Sequence, residues 1–266
     1  GNSYDDLYSI EQTSDGGYIL GGLSSSDISG DKTENGQGGY DYWVVKLNSS
    51  GSIEWQNTIG GTGNDDLYSV IQTTDGGYLL GGYSISGISG DKTVASKGGY
   101  DYWIVKLNSA GGIVWQKTYG GNGDDYLKSL QLTSDGGYIL GGWSNSGVSG
   151  NKTENLIGVY DYWVIKINAS GGIQWQNTIG GTSDDILNSV QQTADGGYIL
   201  GGYSSSGISG DKTDAANLNV GGGNSSDFWV IKLNSGGSIE WQKTIGGNST
   251  DRLFSIDLAS DGGYIL

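Results

Sequence analysis

A unit of about 60 residues recurs along this chain, and that period sets what it can fold into. The block SDGGYILGG begins at Ser14 and returns closely at Thr74, Ser134 and Ala194; a fifth copy begins at Ser260 and runs to Leu266. A second block, DYWVVKLN, begins at Asp41 and returns at Asp101, Asp161 and Asp227. Each unit reads as four short strands: A near Leu7–Thr13, B near Tyr18–Ser24, C near Tyr42–Leu47 and D near Ile53–Ile59. These runs are rich in β-branched and aromatic residues and bounded by Gly, Asn, Asp or Ser. Asp15-Gly16-Gly17 supplies the A–B turn and Asn48-Ser49-Ser50-Gly51 the C–D turn. Only the B–C connection, Ser25–Tyr40, is long, and no apolar period of 3.6 residues and helical length occurs.

Four antiparallel strands repeated at constant length predict an all-β chain, a β-propeller built from blades of about 60 residues. A β-helix needs a much shorter coil, and a sandwich has no reason to repeat its sequence. The expected blades are 5–64, 65–124, 125–184 and 185–250, with a partial fifth at 251–266, in a single propeller domain or segment spanning 1–266. Blade faces pack on neighbouring blades, so strand C should be apolar on both faces, with Trp43 and Val45 on one and Val44 on the other. Trp55, Trp115, Trp175 and Trp241 of strand D are expected to pack between blades. The N-terminal GNSYDDLYSI and the last GNSTDRLFSI occupy the same repeat position, so neither completes the other. That count predicts a piece of a longer chain or assembly.

Composition narrows the functional classes. The net charge is −16, from 29 acidic and 13 basic residues, which lacks the basic footprint of a nucleic-acid binder. No apolar run approaches the ~18 residues of a membrane span. The chain has no Cys and no His, removing thiolate chemistry, Cys-ligated zinc and the commonest general base. Few charges, 18 Tyr, 9 Trp and 52 Gly point to an extracellular protein.

The stretch FWVIKLNSGGSIEWQKTIGGNSTD (residues 228–251), its three siblings and the DGGYILGG block resemble the bacterial secreted β-propeller repeat often labelled SBBP. They are also similar to tandem repeats of Bacteroidetes surface proteins. The L-N-x-x-G-x-x-x-W segment is similar to the tryptophan-docking segment of quinoprotein-like propellers. The resemblance implies an exported propeller at the bacterial surface and implies no activity; the quinoprotein similarity stops at packing.

Several motifs fail on inspection. GGTGNDDLY at 60–68 fits the calcium nonapeptide pattern, but each copy is isolated in its own repeat, whereas calcium there sits between consecutive copies. Asp31-Lys32-Thr33 opens like an EF-hand loop, yet the twelfth position is Tyr42 rather than Glu. A looser calcium site from loop carboxylates and carbonyls stays open; no other cofactor is expected. Asp65/Asp66, Asp124/Asp125 and Asp184/Asp185 recur with the repeat, whereas a catalytic centre is built once, so no enzyme is expected. Lys46, Lys106, Lys166 and Lys232 are expected to pair with turn carboxylates.

Strand alternation brings the B–C loop and the D–A link out on one face. There Tyr40, Tyr100 and Tyr160, each followed by Asp41, Asp101 or Asp161, form a candidate ligand site. An exposed ring stacks on sugar C–H faces while a carboxylate accepts hydroxyl hydrogen bonds. The competing reading has Tyr-Asp-Tyr merely anchoring the loop to strand C. Trp143, which replaces Leu23, Tyr83 and Tyr203 of the other repeats, joins the candidates, as do Lys97, Lys128, Arg252 and the Asp214–Ser226 loop. The expected role is a non-catalytic structural or protein-interaction module displayed on the cell surface, with a polysaccharide-binding propeller as the alternative.

Overall fold

The computed structural model describes residues 1–214 and 225–266, so most of the Asp214–Ser226 loop singled out above lies outside the described residues. The chain forms two compact units, Gly1–Leu127 and Lys128–Leu266. In chain order the strands are β1 (Asp5–Gln12), β2 (Tyr18–Ser24), β3 (Asp41–Leu47), β4 (Ile53–Ile59), β5 (Asp65–Gln72), β6 (Tyr78–Ser84), β7 (Asp101–Leu107) and β8 (Ile113–Tyr119). The second half continues with β9 (Asp125–Leu132), β10 (Tyr138–Ser144), β11 (Asp161–Ile167), β12 (Ile173–Ile179), β13 (Asp185–Gln192), β14 (Tyr198–Ser204), β15 (Asp227–Leu233) and β16 (Ile239–Ile245). A short hairpin, β17 (Asp257–Leu258) and β18 (Tyr264–Ile265), ends the chain. The sheets run β1-β2-β3-β4, β5-β6-β7-β8, β9-β10-β11-β12 and β13-β14-β15-β16, each a four-stranded antiparallel meander of propeller-blade type. The fold is all-β, as the period predicts. Among the described residues no helix is long and apolar enough to cross a membrane.

The turns form where the sequence places them. In the β1–β2 turn Gly16 has φ of 82°, a left-handed conformation that a side chain would strain. Asp15 Oδ1 closes that turn by accepting from the Gly17 N–H at 2.9 Å and from the Thr13 hydroxyl. In the β3–β4 turn Asn48 Oδ1 accepts from the Ser50 and Ser52 N–H groups. Lys46 on β3 lies beside both turns and bridges Asp15 at 2.9 Å and Glu54 at 3.0 Å. Lys106 pairs with Asp75, Lys166 with Asp135, and Lys232 with Asp195 and Glu240, so the expected turn pairing is formed in every repeat.

Within unit 1 the two sheets meet face to face. The first sheet contributes its outgoing face, Ile19, Tyr42, Val44 and Ile59; the second contributes its incoming face, Leu67, Val70, Tyr78, Leu80, Trp103, Val105 and Leu107. Residues of β3 and β7 thus alternate between faces with the expected period of two. Tyr42 locks the pair: its ring centroid lies 4.8 Å from that of Trp103, and its hydroxyl donates to the Trp103 carbonyl at 2.9 Å. Unit 2 repeats the lock, with Tyr162 donating to the Trp229 carbonyl at 3.0 Å.

The strand-D tryptophans Trp55, Trp175 and Trp241 pack against the next sheet, as expected, but at its rim. The deepest tryptophans are Trp103, Trp163 and Trp229 of the third strand, all fully buried. Trp55 and Trp175 do lie against the next sheet, with ring centroids 5.5 Å from Tyr78 and Tyr198, but they are only partly buried. The reason is placement: β4 and β12 are edge strands, and their rings cover the rim of the interface rather than its centre.

Candidate functional site

In unit 1 the long loop after β2 and the link between β4 and β5 emerge together and are sewn to one another. Gly39 N–H donates to the Gly63 carbonyl at 2.9 Å, and Asp65 N–H to the Tyr40 carbonyl at 2.6 Å. Asp41 sits beneath this seam. Its Oδ2 accepts from the Gln37 N–H at 2.7 Å. A side chain at Gly60 would place Cβ 1.8 Å from Asp41 Oδ1, so the link must carry glycine there. Beside it, Asp65 Oδ2 accepts from the Gly61 N–H at 2.6 Å and from the Ser86 hydroxyl at 2.9 Å. Asp65 therefore holds the Gly-Gly dipeptide by hydrogen bond, and Asp41 of the adjacent sheet packs against its first glycine. In the next repeat Asp101 accepts from the Lys97 N–H; in unit 2 Asp161 accepts from the Ile157 N–H at 2.6 Å.

The aspartates of the expected ligand pair lie inside the seam while the tyrosines lie at its edge. Asp41, Asp101 and Asp161 are fully buried and accept from the loop backbone they organise. Oδ1 of Asp41, Asp65, Asp101 and Asp185 accepts no hydrogen bond. Burial pushes the carboxyls up: Asp41 to about 6, Asp101 to about 7 and Asp185 to about 6, with a neighbouring carboxylate adding to the rise in each case.

A second buried set was not anticipated. Lys32, Lys92, Lys152 and Lys212 turn inward from the long loops and are almost completely buried. The loop folds back through paired Ser29 and Lys32 backbone bonds. Lys32 Nζ then donates to the Ser26 carbonyl at 2.8 Å and the Glu34 carbonyl at 2.9 Å. Lys92 Nζ donates to the Ser84 and Ser96 hydroxyls and lies 5.2 Å from the Trp103 ring centroid; Lys212 Nζ lies 4.7 Å from that of Trp229. Burial lowers Lys92 and Lys212 to about 8, against the pull of nearby aspartates. The available signal was a lysine at one fixed offset, S-G-D/N-K-T, in every copy of a loop that otherwise varies.

What remains accessible is aromatic. In unit 1 Tyr40 meets Tyr4 edge-on at 5.9 Å, and Tyr100 lies 5.3 Å from Tyr83 and 5.2 Å from Tyr126. Tyr68 stacks on Tyr83 at 5.2 Å and on Tyr8 at 4.6 Å. In unit 2 Trp143 meets Tyr160 edge-on at 4.8 Å, and the Arg252 guanidinium lies 4.9 Å from the Tyr203 ring centroid. The position after the strand-B glycines (Tyr83, Trp143, Tyr203) is therefore a contact centre in three repeats. Tyr40, Tyr100, Tyr160 and Trp143 are half-buried, offering ring edges and polar atoms. Ser226, which replaces the tyrosine in the fourth repeat, is buried. Lys97 is committed to the Thr118 carbonyl at 2.9 Å. Among the described residues no group of three or more Asp, Glu, His or Cys is arranged to hold a metal ion.

No family model matches the sequence, and no curated protein matches it. Solved structures do. A protein of unknown function from Bacteroides caccae is 12% identical with a TM-score of 0.36, over 94% of this chain and 86% of that one. Sqt1 from Chaetomium thermophilum is 11% identical with a TM-score of 0.39, over 97% of this chain and 64% of that one.

Proposed function

We propose that this chain is a non-catalytic binding or display module that works, in each unit separately, through the ring-rich surface where its long loops meet the inter-blade links. The observation that carries the reading is a division of labour repeated within each unit. The aspartates and lysines are turned inward to hold the loops, while the half-buried rings of Tyr40, Tyr100, Trp143 and Tyr160 remain at the surface. Rings of this kind supply contact area at low entropic cost, which suits recognition by many modest contacts. The repeat's resemblance and its acidic, Tyr- and Gly-rich composition support a location outside the cell or on a bacterial surface, facing a protein or a polysaccharide. The edge-on Trp143–Tyr160 pair favours the polysaccharide reading in unit 2, because an indole presented at a surface stacks on sugar C–H faces.

The test is titration of soluble polysaccharides, followed by tryptophan fluorescence and affinity electrophoresis. Retardation by at least one polymer is expected, lost in a Tyr100→Ala/Trp143→Ala/Tyr160→Ala variant whose far-UV circular dichroism is unchanged. Retardation that survives the triple variant would remove the rings from the site. Turnover of a polymer or ester, abolished by changing one unrepeated residue, would replace the whole reading with an enzyme.

A further inference from the structure

We propose that a groove in unit 2, between the β9–β12 and β13–β16 sheets and at the strand ends opposite the long loops, binds a neutral mono- or disaccharide. It encloses about 360 Å³ and is lined by Asp135, Lys166, Gln174, Trp175, Gln192 and Tyr198. That volume lies near the small end of ligand pockets, which span roughly 300–1,000 Å³. The walls are fixed before any ligand arrives. The Trp175 ring centroid is 5.5 Å from that of Tyr198 on the facing sheet. A side chain at Gly237 would place Cβ 3.0 Å from Trp175 Cε3, so the β15–β16 turn seats the indole. Asn177 Nδ2 donates to the Gly237 carbonyl and holds that turn in place. Gln192 Oε1 accepts from the Ser134 N–H at 2.7 Å, joining the two sheets at the groove. An indole already held in one orientation loses little entropy on binding.

The polar lining decides the ligand class. Lys166 Nζ donates to the two Asp135 carboxylate oxygens at 3.0 and 2.9 Å, and to Gln174 Oε1 at 2.9 Å. One ammonium therefore meets one carboxylate, and the groove carries no net charge. Gln174 is exposed, and its amide N–H groups find no acceptor among the described residues. Asp135 is half-exposed beside it. An indole next to free amide donors and a carboxylate acceptor suits a sugar, with its C–H face on the ring and its hydroxyls on the polar groups. The matching place in unit 1 differs at one position. Trp55 meets Tyr78 at the same 5.5 Å, but Glu54 stands where unit 2 has Gln174. Lys46 is bridged there by both Asp15 and Glu54, which leaves an excess negative charge and no amide donor. The other two repeats carry Val114 and Glu240, so Gln174 is particular to this groove. The site lies at the other end of the strands from the ring-rich surface and stands independently of it.

Saturation-transfer NMR and titration calorimetry with maltose, cellobiose, lactose and xylobiose test this, with digalacturonate as the anionic comparison. At least one neutral disaccharide should bind saturably at millimolar concentration, and digalacturonate should not. Gln174→Glu, at an exposed position, rebuilds the double bridge of unit 1 and should weaken binding about threefold to tenfold. Trp175→Ala should abolish it. Glu54→Gln gives unit 1 the lining of unit 2 and should add an equivalent of bound sugar. The Tyr100→Ala/Trp143→Ala/Tyr160→Ala variant should bind these disaccharides as the wild type does, so the two sites fail separately. A wild type that binds none of the neutral disaccharides overturns the proposal. So does binding that is indifferent to Gln174→Glu, or binding lost in the triple ring variant, which would place the sugar on the ring-rich surface.

Discussion

Trp103→Ala is expected to destabilise the protein by about 3–5 kcal/mol, while Trp241→Ala costs less than about 1.5 kcal/mol. Both residues recur once per repeat, so recurrence does not separate them; their surroundings do. Trp103 is fully buried between the two sheets of unit 1, touches the Tyr42 ring, has Lys92 Nζ 5.2 Å from its ring centroid and donates through Nε1 to Gln116 Oε1 at 3.2 Å. Removing the indole leaves a cavity lined by residues with no means to close it, and takes away the lid of a buried ammonium. Trp241 lies on an edge strand, 41% exposed, with its ring against Tyr264 at the rim, so its truncation opens a gap that water can fill. Urea titration of the two variants, followed by near-UV circular dichroism, checks the order. A loss below about 1 kcal/mol for Trp103→Ala would remove the strand-C tryptophan from the centre of the interface.

The strands were legible because each repeat states them again. Period-two alternation in DYWVVKLN and the Asp-Gly-Gly turn fix β2 and β3 almost to the residue. Which tryptophan would be deepest was not legible, because burial depends on whether a strand is central or at an edge. Spacing alone does not give that. The candidate site was half legible for a similar reason. Tyr40-Asp41 looks like a ring beside an acid, but Tyr40 is the last residue of the loop and Asp41 the first of β3, tied under the loop by the Gln37 N–H. The tyrosine therefore stays at the rim and the aspartate goes beneath the seam. The buried lysines were missed because their fixed offset in the loop does not by itself show that Ser29 and Lys32 pair and fold the side chain inward.

Stability should be greatest at mildly acidic pH and lower near neutrality, against the usual behaviour of a protein rich in paired carboxylates. Asp41, Asp101 and Asp185 hold their protons in the folded state up to about pH 6, 7 and 6, because burial disfavours their charge. The unfolded chain releases those protons near pH ~4. Folding therefore takes up protons between about pH 4 and 7, and stability falls as pH rises through that window. A tenfold difference in proton affinity between the folded and unfolded chain corresponds to about 1.4 kcal/mol, so the three carboxyls together amount to several kcal/mol by order of magnitude. Below that window the opposite group takes over. Asp75 is drawn down to about 2, first by the Thr73 hydroxyl and also by Lys106, so its contribution is present above about pH 4 and lost towards pH 2. Above the window, Lys92 and Lys212 give up their protons near pH 8 in the folded state, so stability partly recovers as pH rises from about 8 towards 10.5. Melting temperatures should therefore peak near pH 4–5 and reach a minimum near pH 7–8. Asp101→Asn separates this cause from general charge repulsion. The amide oxygen still accepts from the Lys97 N–H, and the group no longer ionises. The variant should match the wild type at pH 4.5, exceed it at pH 7.5 by roughly 1–3 kcal/mol, and show a shallower slope between them. A variant less stable than the wild type at pH 7.5, with the slope unchanged, would mean that Asp101 is ionised in the fold and that its charge stabilises the seam.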